Sequence, residues 1–257
     1  MKDKTIVITG ASAGIGAALA RYAGARGAHV VLAARRGDEL RKVAAESGAG
    51  ALAVETDVTR RADVLRLRDE AIRAFGHVDV WVNNAGRGIA TSILALTDED
   101  LDEMVAINLR SVIYGIQAIV PHFQERGAGH VINVSSFLGK VPMAPIRAAY
   151  SAMKAALNSL TSSLRIELAK HPNVHASTIL PGVVTTEFGA NARGVPAGAK
   201  FMLPPGVPTQ TPEQVAAVIA EVIETPVAER LTNPAQLEMW KRYAEDPASI
   251  ERMVATR

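Results

Sequence analysis

The stretch Thr5-Ile6-Val7-Ile8-Thr9-Gly10-Ala11-Ser12-Ala13-Gly14-Ile15-Gly16 passes from a β-branched strand through a glycine loop into a helical pattern running from Ile15 to Arg26. Glycine is needed where backbone turns tightly or approaches another group closely. A helix opening directly after such a loop presents free amides and the positive end of its dipole, which suits a pyrophosphate. Gly10, Gly14 and Gly16 are spaced G-x-x-x-G-x-G, not the G-x-G-x-x-G of most dinucleotide folds.

The alternation continues outward from this stretch. Further β-branched runs lie at His29–Ala33, Ala51–Glu55, Val78–Val82, His130–Val134 and Val174–Leu180. Most are apolar on both faces, as strands of a parallel sheet are when helices cover both sides. Helical stretches fall between them at Gly37–Ser47, Arg60–Phe75, Asp98–Arg126 and Ala149–Lys170. Together they predict an α/β fold, a single doubly wound Rossmann-like domain over residues 1–257 with helices on both faces of a parallel sheet. Right-handed crossovers then place the loops after every strand on one edge. From Glu187 to Gln210 glycines and prolines break the pattern, and this segment is expected to form a substrate lid. Thr211-Pro212 starts a new helix, with Thr211 as N-cap. The tail from Asn233 reads as one or two terminal helices.

Composition narrows the function. A chain of 257 residues with 48% hydrophobic side chains can bury a large core. The net charge of +2 is spread along the sequence with no basic arm, so nucleic acid is not an expected partner. Zero cysteines exclude disulfides, thiolate catalysis and cysteine metal sites. The start Met1-Lys2-Asp3-Lys4 leads straight into a strand, too short for a signal-peptide core, and no uninterrupted apolar run reaches membrane length. A cytoplasmic setting without a membrane partner is expected. The six histidines suggest no metal set.

Tyr150 and Lys154 are four residues apart in Tyr150-Ser151-Ala152-Met153-Lys154, at the head of a helical pattern, and so share a helix face. A free phenol, with a pKa of about 10, is a poor acid or base near neutrality. A neighbouring ammonium favours its ionised form. Ser136 lies upstream, at the end of an apolar strand, where its hydroxyl could steady a substrate oxygen.

Taken together these motifs resemble the short-chain dehydrogenase/reductase family. Thr9-Gly10-x-x-x-Gly14-Ile15-Gly16 matches its cofactor loop and Asn83-Asn84-Ala85-Gly86 its second signature. Asn108, Ser136, Tyr150 and Lys154 follow the order of its catalytic tetrad, and Pro181-Gly182 with Thr186 matches its nicotinamide-side loop. The likeness spans residues 4 to about 188. It implies hydride transfer between a nicotinamide and a carbonyl carbon, with Tyr150 as proton donor. Ser136 would hydrogen-bond the carbonyl oxygen, Lys154 would hold the ribose, and Asn108 would help hold a water. Implied cofactor contacts are Gly10, Ser12, Gly14, Ile15, Gly16, Asp57, Val58, Asn84, Ala85, Gly86, Tyr150, Lys154, Pro181, Gly182, Val184 and Thr186. Asp57 would face the adenine, while Asn83 would brace the sheet. Where relatives that use NAD carry an acid, this chain has Ala34, followed by Arg35 and Arg36. A guanidinium binds a 2′-phosphate that a carboxylate would repel. NADP(H) is therefore the expected cofactor, with Arg35 as main phosphate ligand and Arg36 or Ser12 assisting.

Ser136, followed by Phe137-Leu138-Gly139, fits the family's serine, and Ser135 would point to the other side of the strand. Three residues between Tyr150 and Lys154 favour carbonyl/alcohol chemistry over the C=C reduction of related enoyl reductases. The expected pocket is apolar: Ile89 and Ile93; Phe137, Leu138, Met143, Pro145 and Ile146; and Phe188, Phe201, Met202 and Leu203 from the lid. That lining points to a medium-sized hydrophobic small molecule. Arg87, Arg147, Arg193 and Lys200 could instead receive an anionic or carrier-linked 3-oxoacyl substrate. A non-catalytic NADPH-binding regulator on the same fold is the competing class. The resemblance also implies a homodimer or homotetramer formed through the helices carrying Asn108 and Tyr150.

Overall fold

Strand β1 (Thr5–Thr9) is buried along its whole length because its two faces supply different layers. Ile6 and Ile8 point to one side and Val7 to the other, as the two-residue period of a strand requires. The computed structural model describes residues 1–196 and 208–255. The next strands are β2 (His29–Ala34), β3 (Ala51–Glu55), β4 (Val80–Asn83), β5 (Gly129–Val134) and β6 (Val174–Leu180). They are followed by β7 (Val183–Val184), β8 (Thr209–Gln210) and β9 (Glu229–Leu231). Among the described residues, seven strands form one parallel sheet in the order β3-β2-β1-β4-β5-β6-β9, and β7 pairs with β8.

Helices alternate with the strands. They are α1 (Gly14–Gly24), α2 (Gly37–Glu46), α3 (Arg61–Phe75), α4 (Asp98–Val105), α5 (Ser111–Arg126) and α6 (Ala148–Glu167), then α7 (Pro212–Glu224), α8 (Gln236–Glu245) and α9 (Pro247–Ala255). On one face Leu19 of α1 and Val215 and Ile219 of α7 pack with Ile6, Ile8, Val30 and Leu32. On the other, Leu67 of α3, Ile119 and Phe123 of α5 and Leu164 of α6 pack with Val7, Val31 and Val131. Each such side chain stabilises the fold by roughly 1.5–3 kcal/mol relative to exposure. Strand order reverses between β1 and β4, so the crevice of this doubly wound sheet opens at their carboxyl ends.

Three departures from the sequence reading have local causes. The fourth strand starts at Val80 rather than Val78. Val78 is outside the ladder because its amide donates to His122 Nε2 (3.2 Å) and its carbonyl accepts from Arg126 Nη1 (2.7 Å). The expected helix 98–126 is broken into α4 and α5 by a π-helical segment at Ala106–Arg110. β9 was not anticipated, since Glu229-Arg230-Leu231 lacks a β-branched residue. The whole run Asp98–Arg126 has the length and hydropathy of a membrane-crossing helix, but 44% of its most apolar window is buried in the fold. Thr97 and Thr211 cap α4 and α7, each in a reciprocal capping box.

The tail helices α8 and α9 fold back over the turn after β5. Ile250, Met239, Trp240 and Tyr243 enclose Phe137 and Val141. Lys140 fastens this corner, with its ammonium 5.0 Å from the Trp240 ring centre and 2.8 Å from Glu229.

Candidate active site

The glycine loop follows β1 and turns into α1. Gly10 and Gly14 have φ of +68° and +56°, the left-handed region that favours glycine. A Cβ on Gly16 would lie 2.5 Å from the Gly10 carbonyl oxygen and 2.7 Å from Asn84 Nδ2. Packing within the loop therefore demands glycine at position 16. The N-cap of α1, Ala13, offers no side-chain acceptor. The first-turn amides of α1 are left for an anion, and these residues fit a dinucleotide pyrophosphate. Ile15 leans into the core layer behind the loop.

The second signature holds that loop from below. Asn84 Nδ2 donates to the Thr9 carbonyl (2.9 Å) and the Gly10 carbonyl (3.3 Å), and Thr9 Oγ1 accepts the amides of Asn84 and Ala85. The Asn84 side chain thus shapes the cradle rather than offering itself to a ligand. Asn83 links Trp81 and Asn133, and Asn133 bonds Thr161, a chain that ties β4 and β5 to α6.

Ala34 ends β2, and the two arginines that follow it turn different ways. Arg36 is the one against the glycine loop, its Nε and Nη2 donating to Ser12 Oγ at 3.3 and 3.2 Å. Arg35 turns toward a polar cavity that it lines with Glu55, Thr56, Asp57 and Arg60. Asp57 has a structural task as well, since Oδ1 accepts the amide (3.0 Å) and hydroxyl (2.7 Å) of Thr59. Burial alone would raise the Asp57 pKa. The two Thr59 bonds and the charges of Arg35 and Arg60 override that and hold it below the usual carboxylate value. Val58 is buried in the apolar layer beneath β3, so its side chain serves the core.

The residues expected to be catalytic converge where β4, β5, α6 and the π segment meet. A Cβ on Gly86 would lie 3.0 Å from Asn108 Oδ1 and 3.7 Å from Lys154 Nζ. Asn108 clamps the Arg87 backbone, its Oδ1 accepting the Arg87 amide (3.2 Å) and its Nδ2 donating to the Arg87 carbonyl (3.0 Å). The π segment aims Asn108 inward at this point. Lys154 Nζ donates to the Val134 carbonyl at 2.9 Å and lies 5.6 Å from the centre of the Tyr150 ring. Ser135 is structural, its hydroxyl donating to the Lys154 carbonyl at 3.1 Å. Ser136 faces the site beside the Tyr150 phenol, and its hydroxyl accepts the Leu138 amide at 3.1 Å.

Electrostatics here depart from the sequence reading. Burial pushes the Tyr150 phenol up to about 12, against the opposing effects of Ser136 and the Arg147 guanidinium. Burial likewise brings Lys154 down to about 8. The expected lowering of the phenol by Lys154 is absent from the protein alone: the opposing charge is that of Arg147, and desolvation penalises the charged form of both Tyr150 and Lys154.

The far wall comes from residues 181–195. The Pro181 carbonyl accepts the Phe137 amide at 2.8 Å. The side chain of Gln236, at the start of α8, lies against Gly182 where a Cβ would stand. Val184, in β7, leads to Thr186, whose methyl group is 3.2 Å from a Cβ placed on Gly14. The nicotinamide-side loop and the glycine loop therefore face each other across the crevice. Phe188 tilts over Tyr150 with ring centres 5.6 Å apart.

The expected pocket residues divide. Ile93 and Ile146 are 66% and 50% exposed at the rim, joined by Leu94, which sequence reasoning missed. Ile89 is fully buried and Phe137 is covered by the tail helices, so both line the fold instead. Arg87 and Arg193 are held in ion pairs with Glu103 and Asp100, which removes them as ready anion receivers. Phe201, Met202, Leu203 and Lys200 lie outside the described residues. Arg147 is buried beside Gly88, at the end of the 3-10 turn that precedes α6. Among the described residues no group of three or more His, Asp or Glu could hold a metal ion.

Comparison with known proteins agrees with this geometry. The short chain dehydrogenase family profile matches residues 4–195. An uncharacterized oxidoreductase of Listeria innocua is 36% identical over 234 residues, covering 88% of this chain and 92% of the relative. A short chain dehydrogenase/reductase from Burkholderia phymatum, solved with NAD, superposes with a TM-score of 0.86 at 28% identity, over 96% of this chain and 95% of the other. An alcohol dehydrogenase from Thermococcus sibiricus, solved with 5-hydroxy-NADP, gives 0.77 at 29% identity, over 89% and 95%. The chain belongs to the short-chain dehydrogenase/reductase family and is an oxidoreductase with a nicotinamide-binding fold.

Proposed function

We propose that this protein is an NADP(H)-dependent oxidoreductase that interconverts a ketone or aldehyde and the corresponding alcohol, with Tyr150 as proton donor and acceptor. The observation that carries the reading is Tyr150 itself: a buried phenol beside Ser136, one helical turn from Lys154, at the carboxyl edge of the sheet. Bound nicotinamide would supply or accept the hydride. Tyr150 gives its proton to the carbonyl oxygen as negative charge develops there. Ser136 hydrogen-bonds the same oxygen, and a preorganised donor of this kind is worth about two to three powers of ten in rate. Lys154 holds the ribose and draws the phenol toward ionisation, while Asn108 fixes the neighbouring backbone. Gly10, Gly14, Gly16, Ala85 and Gly86 let backbone lie close to the cofactor.

Preference for NADP(H) rests on Ala34 in place of an acid and on the guanidinium of Arg36 beside Ser12, with Arg35 near by. The apolar rim of Ile93, Leu94, Ile146 and Phe188 supports a medium-sized hydrophobic substrate. On this reading the chain works as one dinucleotide-binding and catalytic unit, with the tail helices as part of the substrate wall, and assembles as a dimer or tetramer.

The test is consumption of NADPH and NADH across a panel of hydrophobic ketones and aldehydes, alongside cofactor titration. The reading expects turnover with a lower KM for NADPH, and a Tyr150→Phe variant that binds NADPH but has lost turnover by at least about a thousandfold. Binding without turnover on any carbonyl would favour a regulator, and an active phenylalanine variant would remove Tyr150 from its role.

A further inference from the structure

Arg193 joins the wall segment 187–195 to two other parts of the molecule. Its backbone forms a single parallel bridge with Ile89. The Arg193 amide donates to the Gly88 carbonyl at 2.9 Å, and its carbonyl accepts the Ala90 amide at 2.8 Å. Its side chain reaches α4, where Nε donates to Asp100 Oδ1 and Nη1 to Glu103 Oε2 at 2.7 Å. These two carboxylates are three residues apart on α4 and so share a face. Both are already held. Asp100 Oδ2 accepts the Thr97 amide at 3.3 Å within the capping box, and Glu103 Oε1 accepts from Arg87 Nη1. Asn108 in turn grips the Arg87 backbone.

Charges of alternating sign therefore run Asp100, Arg193, Glu103, Arg87 across the mouth of the site. An isolated exposed ion pair contributes little, but a partly buried network built on a guanidinium fork is specific in geometry. What the fork holds is the wall. Phe188, five residues before Arg193, has its ring centre 5.6 Å from that of Tyr150. Its Cε1 lies 3.0 Å from a Cβ placed on Gly88, and the Cβ of the buried Ala192 lies 3.2 Å from that same point. The wall thus rests against the loop after β4 by packing and against α4 by charge.

We propose that Arg193 is a positioning residue that sets the affinity for the hydrophobic carbonyl, because its fork on Asp100 and Glu103 holds Phe188 in place over Tyr150. The proposal rests on the reading of Tyr150 as proton donor at a hydrophobic substrate site. Arg193 touches no reacting atom. A wall that drifts loses apolar contact with the ground state and the transition state alike, so its loss falls on KM and not on kcat. Lysine at this position keeps the charge but presents a single point in place of the fork.

The test compares Arg193→Gln and Arg193→Lys with the unaltered full chain, using NADPH and a hydrophobic ketone that the unaltered protein reduces. Thermal melting establishes that each variant is folded. Arg193→Gln should raise KM for the ketone by about tenfold, with kcat within about twofold and KM for NADPH unchanged. Arg193→Lys should show a smaller rise. Raising sodium chloride from about 0.1 M to about 1 M shortens the screening length from about 10 Å to about 3 Å. It should bring KM of the unaltered protein toward that of Arg193→Gln and leave the variant nearly where it was. A merely structural role predicts instead a salt-independent fall in kcat with a lowered melting temperature. Hydrogen exchange of peptides covering 187–195 should quicken about tenfold in Arg193→Gln, with α6 unaffected. Unchanged KM in both variants, or unchanged exchange over 187–195, overturns the proposal. Turnover by Tyr150→Phe would sink the catalytic reading instead, and the exchange rates would still report on Arg193.

Discussion

Adjacent serines at the end of β5 have opposite fates because successive side chains of a strand point to opposite faces. Ser135 Oγ donates to the buried Lys154 carbonyl, and Ser136 Oγ lies on the side of Tyr150. The expected consequences separate cleanly. Ser136→Ala should lower kcat by about a hundredfold or more with a near-normal melting temperature. Ser135→Ala should instead cost about 0.5–1.5 kcal/mol of stability by removing one buried hydrogen bond, read in a denaturant titration. The choice between them was legible in the sequence, because Ser136 is the one followed by x-x-Gly and strand alternation is a local rule. The burial of Arg147 was not, and neither was the turning of Arg36 toward the glycine loop. Those depend on which way a long side chain turns once Gly88, Phe188 and Ser12 are brought beside it from elsewhere in the chain.

The strands and helices that carry the crevice were readable because their apolar period is strong, and β1, β3 and β6 have the bounds expected from composition. The π segment at Ala106–Arg110 was hidden, since Ala106-Ile107-Asn108-Leu109-Arg110 has ordinary helical composition. Its tertiary setting is what composition does not carry: Asn108, inside the segment, bonds the Arg87 backbone through both side-chain ends. The turn into α1 was fully legible, and it makes a sharp prediction. A methyl group at position 16 would collide with the Gly10 carbonyl and Asn84 at once, and both belong to the cradle. Gly16→Ala should raise the Kd for NADPH by at least about tenfold and lower the melting temperature, as measured by fluorescence titration and calorimetry. Unaltered NADPH affinity would mean that the loop is not the pyrophosphate site.

Stability of the molecule as a whole should carry the mark of one buried histidine. His130 Nε2 bonds Ser177 Oγ at 2.8 Å, and that hydroxyl donates to the Val227 carbonyl, so the ring nitrogen is the donor. The other ring nitrogen, Nδ1, is buried without a partner, and burial pushes His130 down to about 3. The unfolded chain, with an ordinary histidine near 6.5, binds a proton that the folded protein refuses. This contribution is intact above about pH 6.5 and is lost progressively as pH falls toward 3, at about 1.4 kcal/mol per unit. Denaturant midpoints for the unaltered protein should therefore fall more steeply between pH 6.5 and 4 than those of His130→Gln, and parallel curves would refute the assignment. The family profile ends at residue 195, yet the helices folded over the turn behind Ser136 lie beyond it. On the proposed reading, the residues that move the proton and hydride and the helices that back their site occupy different stretches of one chain. Replacing residues 233–257 with a relative's tail would then be a transplant of taste rather than of trade, with the transfer machinery left in place and the accepted ligand changed.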